Sequence, residues 1–224
     1  RLRTINRLTL LWVVTAFMVA STATTPLYGK LSDIYGRKRL FYVAIGIFLA
    51  GSVLCGLAQT MLQLILFRGL QGLGAGGLMT LAQTTIGDLI SPRERGRYQG
   101  LFGAVFAACS VAGPLLGGVL TDELSWRWIF YVNLPVGAAA LALIAIGLKH
   151  PNKRSAHRID YGGAVLLSSA TVALLLFLSW GGTQFPWSSP VMLGLAAAAV
   201  TLFGWTILQE HRASEPILPP RLFH

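Results

Sequence analysis

The chain has 224 residues, of which 54% are hydrophobic and only 12% charged, and its formal net charge is +10. Soluble domains carry about 25% charged residues, so this chain has too few to give a globule of its size a polar surface. The basic residues are parcelled into short loops between apolar runs, which makes the membrane reading of that charge better than a nucleic-acid one.

Crossing a hydrocarbon core of about 30 Å takes about 20 apolar helical residues. Seven stretches meet that need: 8–28, 40–59, 63–87, 98–121, 128–148, 161–181 and 190–209. Barrel strands would alternate over about 10 residues, and these do not. The segments between them sort by charge. Segment 29–39 holds Lys30, Arg37, Lys38 and Arg39, and 88–97 holds Arg93, Arg95 and Arg97. Segment 149–160 holds Lys149, Lys153, Arg154 and Arg158, and the tail holds Arg212 and Arg221. Segments 60–62, 122–127 and 182–189 carry Arg127 as their one basic residue. Cationic loops stay cytoplasmic, which places residues 1–7 outside and the tail inside; Arg1, Arg3 and Arg7 run against the rule. Trp12, Trp126, Trp128, Trp180 and Trp187 fall at the outer boundary and Trp205 near the inner one, as amphipathic rings prefer. The chain opens on Arg1 without a secretory signal pattern. Cys55 and Cys109 lie in apolar runs and imply neither a disulfide framework nor a metal site.

The first inner segment reads Gly29-Lys30-Leu31-Ser32-Asp33-Ile34-Tyr35-Gly36-Arg37-Lys38-Arg39. A turn this short needs glycine so that backbones can approach, and Asp33 can pair with Arg37 or dock on a helix N-terminus. On charge alone it is also an ordinary positive-inside loop. The third run opens Leu66-Phe67-Arg68-Gly69-Leu70-Gln71-Gly72-Leu73-Gly74-Ala75-Gly76. Arg68 sits at hydrocarbon depth, where an ionisable side chain costs at least about 2.5 kcal/mol unless it faces a cavity or partner. The alternative is snorkelling to the nearby outer loop. Gln71 shares its face at i+3, and Gly69, Gly72 and Gly76 make a small-residue stripe for close helix contact. Gly72 to Gly77 also fits a dinucleotide-binding spacing, but no strand precedes it and the match is rejected.

Asp88 and Arg95 bracket the next inner segment and alone read as a solvated polar turn. The fourth run carries Gly100, Cys109, Gly113, Pro114, Gly117 and Gly118. Cys109, Gly113 and Gly117 are four apart and leave one face nearly bare, and Pro114 sets a bend. The segment Trp126-Arg127-Trp128-Ile129-Phe130-Tyr131-Val132-Asn133-Leu134-Pro135 is an outer aromatic belt followed by a polar Asn and a kink. The tail Glu215-Pro216-Ile217-Leu218-Pro219-Pro220 cannot be helical and reads as a connector to a further span.

These motifs together resemble the major facilitator superfamily, and within it the fourteen-helix branch of drug:proton antiporters. The 29–39 spacing is similar to the family's signature loop between its second and third helices, and 66–76 to its fourth-helix motif. The Gly113-Pro114-x-x-Gly117-Gly118 arrangement resembles the fifth-helix antiporter motif, with Cys109 where glycine is usual, and 126–135 resembles the start of the branch's sixth helix. The resemblance implies an all-α polytopic helical bundle of that fold, in part. Residues 1–148 would be an N-terminal six-helix bundle lacking its first helix, 149–160 a cytoplasmic linker, 161–209 two additional helices, and 210–224 a connector to a C-terminal bundle. It implies that Arg68 with Gln71 serves proton coupling. Gly29, Asp33, Gly36, Arg37, Lys38, Asp88 and Arg95 would form a cytoplasmic gating network.

The expected function is proton-coupled export of drugs or other amphipathic molecules by alternating access, without a cofactor, from the bacterial inner membrane. The expected partners are lipid, substrate, protons and a periplasmic adaptor protein, with no nucleic acid. No Asp or Glu lies mid-span, so Arg68 is the one deep ionisable group. A dedicated metabolite or siderophore exporter and a non-transporting sensor or scaffold are the alternatives. An enzyme is disfavoured: metalloprotease and serine-hydrolase motifs are missing, and His150, His157, His211 and His224 lie in loops or the tail.

Overall fold

The computed structural model describes residues 7–148 and 161–212. The 149–160 linker, the Pro-rich connector after Arg212, and Arg1 and Arg3 lie outside the described residues. Among the described residues eight helices follow one another: α1 (Arg7–Tyr35), α2 (Arg37–Leu57), α3 (Met61–Leu89), α4 (Arg95–Glu123), α5 (Trp128–Tyr131), α6 (Asn133–Gly147), α7 (Tyr161–Trp180) and α8 (Pro190–Arg212). Taking α5 and α6 as one, seven of these units are long and apolar enough to cross a membrane. The protein is a multi-pass membrane helical bundle.

The longest helices outrun the apolar runs that predicted them. α1, α3 and α4 each have 29 residues, or about 43 Å at 1.5 Å per residue, more than the hydrocarbon requires. Hydropathy marks where lipid ends, whereas a helix ends where its backbone hydrogen bonds stop. The expected loop 29–39 is therefore helical but for Gly36, whose φ of 85° breaks the ladder. Few residues other than glycine hold that angle cheaply. Asp88 likewise belongs to the last turn of α3, and the loop there shrinks to 90–94. In the other direction, the 128–148 span divides at Val132. Pro135 has no N–H to offer the carbonyl of Tyr131 four residues back, which weakens the ladder at the expected kink.

α3 is the hub. A Cβ added at Gly72 would lie 2.5 Å from the Phe17 carbonyl oxygen of α1, and one at Gly76 would strike the Ser21 carbonyl. One at Gly74 would lie 2.5 Å from the Ala44 carbonyl of α2. Such glycines bring backbones into contact, which is the main source of cohesion when lipid is as apolar as the side chains. Gly69, the third member of the expected stripe, faces open space, and Gly74 and Gly77 take up the contact instead. Below this level Tyr28, Leu40, Phe41, Ala44 and Leu81 form a small buried cluster. The α7–α8 hairpin docks on α1 through Ser168 Oγ, which donates to the Ala23 carbonyl at 2.7 Å. An edge-on Trp12–Trp180 pair at 5.0 Å completes the seam.

Candidate functional site: two polar clusters on one hub

At the inner end, the single-residue turn at Gly36 places Arg37 on the first turn of α2, facing both neighbours. Its Nη2 lies 2.6 Å from Asp88 Oδ2 of α3 and 3.7 Å from Asp33 Oδ1 of α1. Three helices therefore meet on one guanidinium. Asp33 is 51% exposed and Asp88 58%, and exposed pairs contribute only about 0.2–1 kcal/mol each. The cluster fixes relative position more than it stabilises the fold. Nη1 of Arg37 is buried without a hydrogen-bond partner among the described residues.

Two residues expected in that network stand elsewhere. Lys38 points its Nζ at the carbonyls of Ala145 and Leu148, 2.8 and 3.0 Å away, at the end of α6. A helix C-terminus presents unsatisfied carbonyls and partial negative charge, so it competes with carboxylates for a nearby lysine, and here it holds Lys38. Arg95 donates to the carbonyls of Gly87 at 2.6 Å and Ile90 at 3.2 Å, closing the end of α3 in the same way. Gly29, expected to admit a close backbone, has room to spare: an added Cβ would sit 3.8 Å from Thr80.

The deeper cluster gathers around Arg68, two turns from the outer start of α3. Its Nη1 donates to Gln71 Oε1 at 2.8 Å and its Nε to the Val13 carbonyl of α1 at 3.3 Å. The guanidinium carbon stands 4.2 Å from the Phe17 ring centroid and 6.0 Å from that of Phe130. These bonds turn the side chain into the bundle, and it does not snorkel outward. Hydrogen bonds to a charged group contribute about 1.5–3 kcal/mol each and a desolvated cation–π contact about 2 kcal/mol. Together they offset a burial cost of at least about 2.5 kcal/mol. Among the described residues, the groups that hold Arg68 are neutral. Beyond it, Gln71 Nε2 donates to Ser52 Oγ of α2 at 2.7 Å, and Asn133 Nδ2 of α6 reaches the same oxygen at 3.3 Å.

The outer motif is a clamp. Arg127 donates to the Ala58 carbonyl at the end of α2 at 2.5 Å and stacks over Trp126 at 4.6 Å. Tyr131 packs its ring against Gly56. Asn133 thus joins the Arg68 cluster, which the sequence analysis treated as separate, while Pro135 acts only on the backbone. Ser52 escaped notice because a lone serine in an apolar run usually bonds its own helix. Its neighbour Gly51 was the available signal, since an added Cβ there would lie 2.6 Å from the Gln71 backbone.

The α4 motif stands apart. α4 buries none of its residues, Cys109 is exposed, and nothing lies within 4 Å of an added Cβ at Gly100, Gly113, Gly117 or Gly118. The helix runs through Pro114 without ending.

The sequence pattern described as Major Facilitator Superfamily matches residues 3–211. Multidrug resistance protein 3 of Bacillus subtilis (strain 168) is 46% identical over 207 residues, covering 92% of this chain and 40% of that protein. Multidrug transporter protein MdtP of the same organism is 43% identical over 212 residues, covering 95% and 39%. The acurin A biosynthesis cluster MFS-type transporter of Aspergillus aculeatus (strain ATCC 16872 / CBS 172.66 / WB 5094) is 39% identical over 225 residues, covering 95% and 40%. The chain spans about 40% of the length of these curated relatives. With seven membrane-length helices and a match running through all of them, the chain belongs to the Major Facilitator Superfamily.

Proposed function

We propose that this chain is the N-terminal half and central insert of a proton-coupled exporter of drugs or other amphipathic small molecules, working by alternating access. Family membership makes it part of a transporter rather than an enzyme. Residues up to 148 serve as helices two to six of one bundle, and 161–209 serve as two additional helices between bundles. The observation that carries the reading is Arg68: a cation kept at membrane depth, turned inward, and held among the described residues by Gln71, Val13 and an aromatic face rather than by a carboxylate. A fixed charge of this kind is expensive, and intramembrane charges of that sort mark ion and proton pathways. It biases the protonation of any acidic group brought near it as the bundles rock about a central site.

The Asp33–Arg37–Asp88 cluster supports the second half of the mechanism. It ties the inner ends of α1, α2 and α3 by exposed, individually weak contacts, which suits a closure that forms and breaks in each cycle. The proton gradient supplies the drive and no cofactor takes part. The setting is the plasma membrane, the bacterial inner membrane in particular, with a periplasmic adaptor as a partner. The names of the two Bacillus relatives support drugs as cargo. The Aspergillus relative's name favours a second reading, a dedicated metabolite as cargo of the same machine.

The test is Arg68→Ala in the intact protein, reconstituted in vesicles under a pH gradient. Efflux driven by the gradient falls at least about a hundredfold while membrane insertion and abundance hold. Full gradient-driven efflux in that variant removes the coupling role.

A further inference from the structure

We infer that Ser52 and Asn133 are positioning residues for Arg68, acting through Gln71; the inference rests on the coupling role proposed above. A guanidinium carries no acceptor, so Gln71 must turn its Oε1 toward Arg68, as it does at 2.8 Å. That choice aims the amide nitrogen the opposite way, into a place where Gln71 is 1% exposed and no water competes. A buried amide donor needs an acceptor there. Ser52 Oγ provides it at 2.7 Å, on a residue that is itself 0% exposed.

A serine in a helix ordinarily turns its hydroxyl to a carbonyl of the preceding turn. Here the hydroxyl oxygen is met from two sides, by Gln71 at 2.7 Å and by Asn133 of α6 at 3.3 Å. Asn133 is set in place by the segment before it. Arg127, Phe130 and Asn133 recur at three-residue spacing and share one side of the α5–α6 unit. Arg127 holds the Ala58 carbonyl above, and Phe130 presents its ring 6.0 Å from the Arg68 guanidinium. Gly51, beside Ser52, lets the α2 backbone meet Gln71 without an intervening side chain. A four-residue chain, Asn133–Ser52–Gln71–Arg68, therefore crosses α6, α2 and α3. Its output is the direction in which the guanidinium points, and a shift of the outer half of α6 reaches Arg68 through hydrogen bonds alone.

The experiment uses the intact protein in proteoliposomes with ethidium as probe, reading initial efflux rates and protons taken up per ethidium exported. Ser52→Ala and Asn133→Leu each lower kcat about tenfold, the scale of one hydrogen bond in a chain that ends on a charge. KM stays within about threefold, and the proton-to-ethidium ratio falls. Ser52→Thr, which keeps the hydroxyl, restores both rate and ratio. A structural defect would lower the amount of active protein and leave the ratio unchanged. If Ser52→Ala does not reach the membrane, Asn133→Leu, at a half-buried site, decides the matter. Retention of both the ratio and a rate within about twofold in the inserted variants overturns the positioning role while the coupling reading stands. An unsubstituted protein that exports ethidium without taking up protons sinks both.

Discussion

α3 and α4 are both 29 residues long and each carries six glycines, yet the glycines meet different surroundings. In α3, Gly72, Gly76 and Gly77 lie against α1 and Gly74 against α2, each so close that an added methyl would collide with backbone or a ring. In α4 the same residue type at Gly100, Gly113, Gly117 and Gly118 faces nothing within 4 Å. Glycine spacing states a capacity for close approach, and the partner turns that capacity into structure. A third regime lies between them: the α5–α6 unit approaches α2 closely at Gly137, against the Leu49 side chain, and is also joined to it by polar contacts, Arg127 above, Asn133 on Ser52, and Lys38 below.

The largest test of that contrast is Gly76→Ala set against Gly117→Ala, followed by thermal unfolding in detergent. The first forces α1 off Ser21 and costs about 1–3 kcal/mol; the second stays within about 0.5 kcal/mol. Equal losses would break the comparison. Next in size is Arg127→Ala, which frees the end of α2 and costs about 1.5 kcal/mol; hydrogen exchange rising in the last turn of α2 and in α5, but not in α1, identifies the clamp. Lys38→Met removes two bonds to the carbonyl end of α6 at a partly exposed site, for about 0.5–1 kcal/mol, and shows as faster exchange in the last turn of α6 alone. Smallest is Gly29→Ala. The site has room for a methyl, so stability changes by less than about 0.5 kcal/mol or rises slightly with helix propensity. A large loss would mean that the inner end of α1 is packed as tightly as its middle.

The seven spans were legible because lipid leaves a backbone few choices, and each apolar run became a helix. Their ends were not. Residues 29–35 read as loop from their charge, but a polar helix extends freely into water until something like Gly36 stops it. The Asp33–Arg37 pair was one of the readings open from charge alone, beside a plain cationic loop, and the addition of Asp88 was implied only by the family resemblance. Lys38 and Arg95, expected beside those carboxylates, bond backbone carbonyls for a definite reason: sequence shows ionised partners and hides the bare carbonyls at helix ends, which satisfy both residues. The contact of Arg68 with Gln71 was legible from their i+3 spacing. Ser52 and the part played by Asn133 were not, because a chain across three helices depends on how those helices rotate against each other, which no single helix encodes.

The one-residue joint at Gly36 has a mechanical corollary. Two long rods meet there with no slack, so a tilt of the first has no loop to absorb it before it reaches the second. Lengthening that joint with one or two flexible residues would let each rod move alone, and force applied at one face of the membrane would no longer arrive at the other.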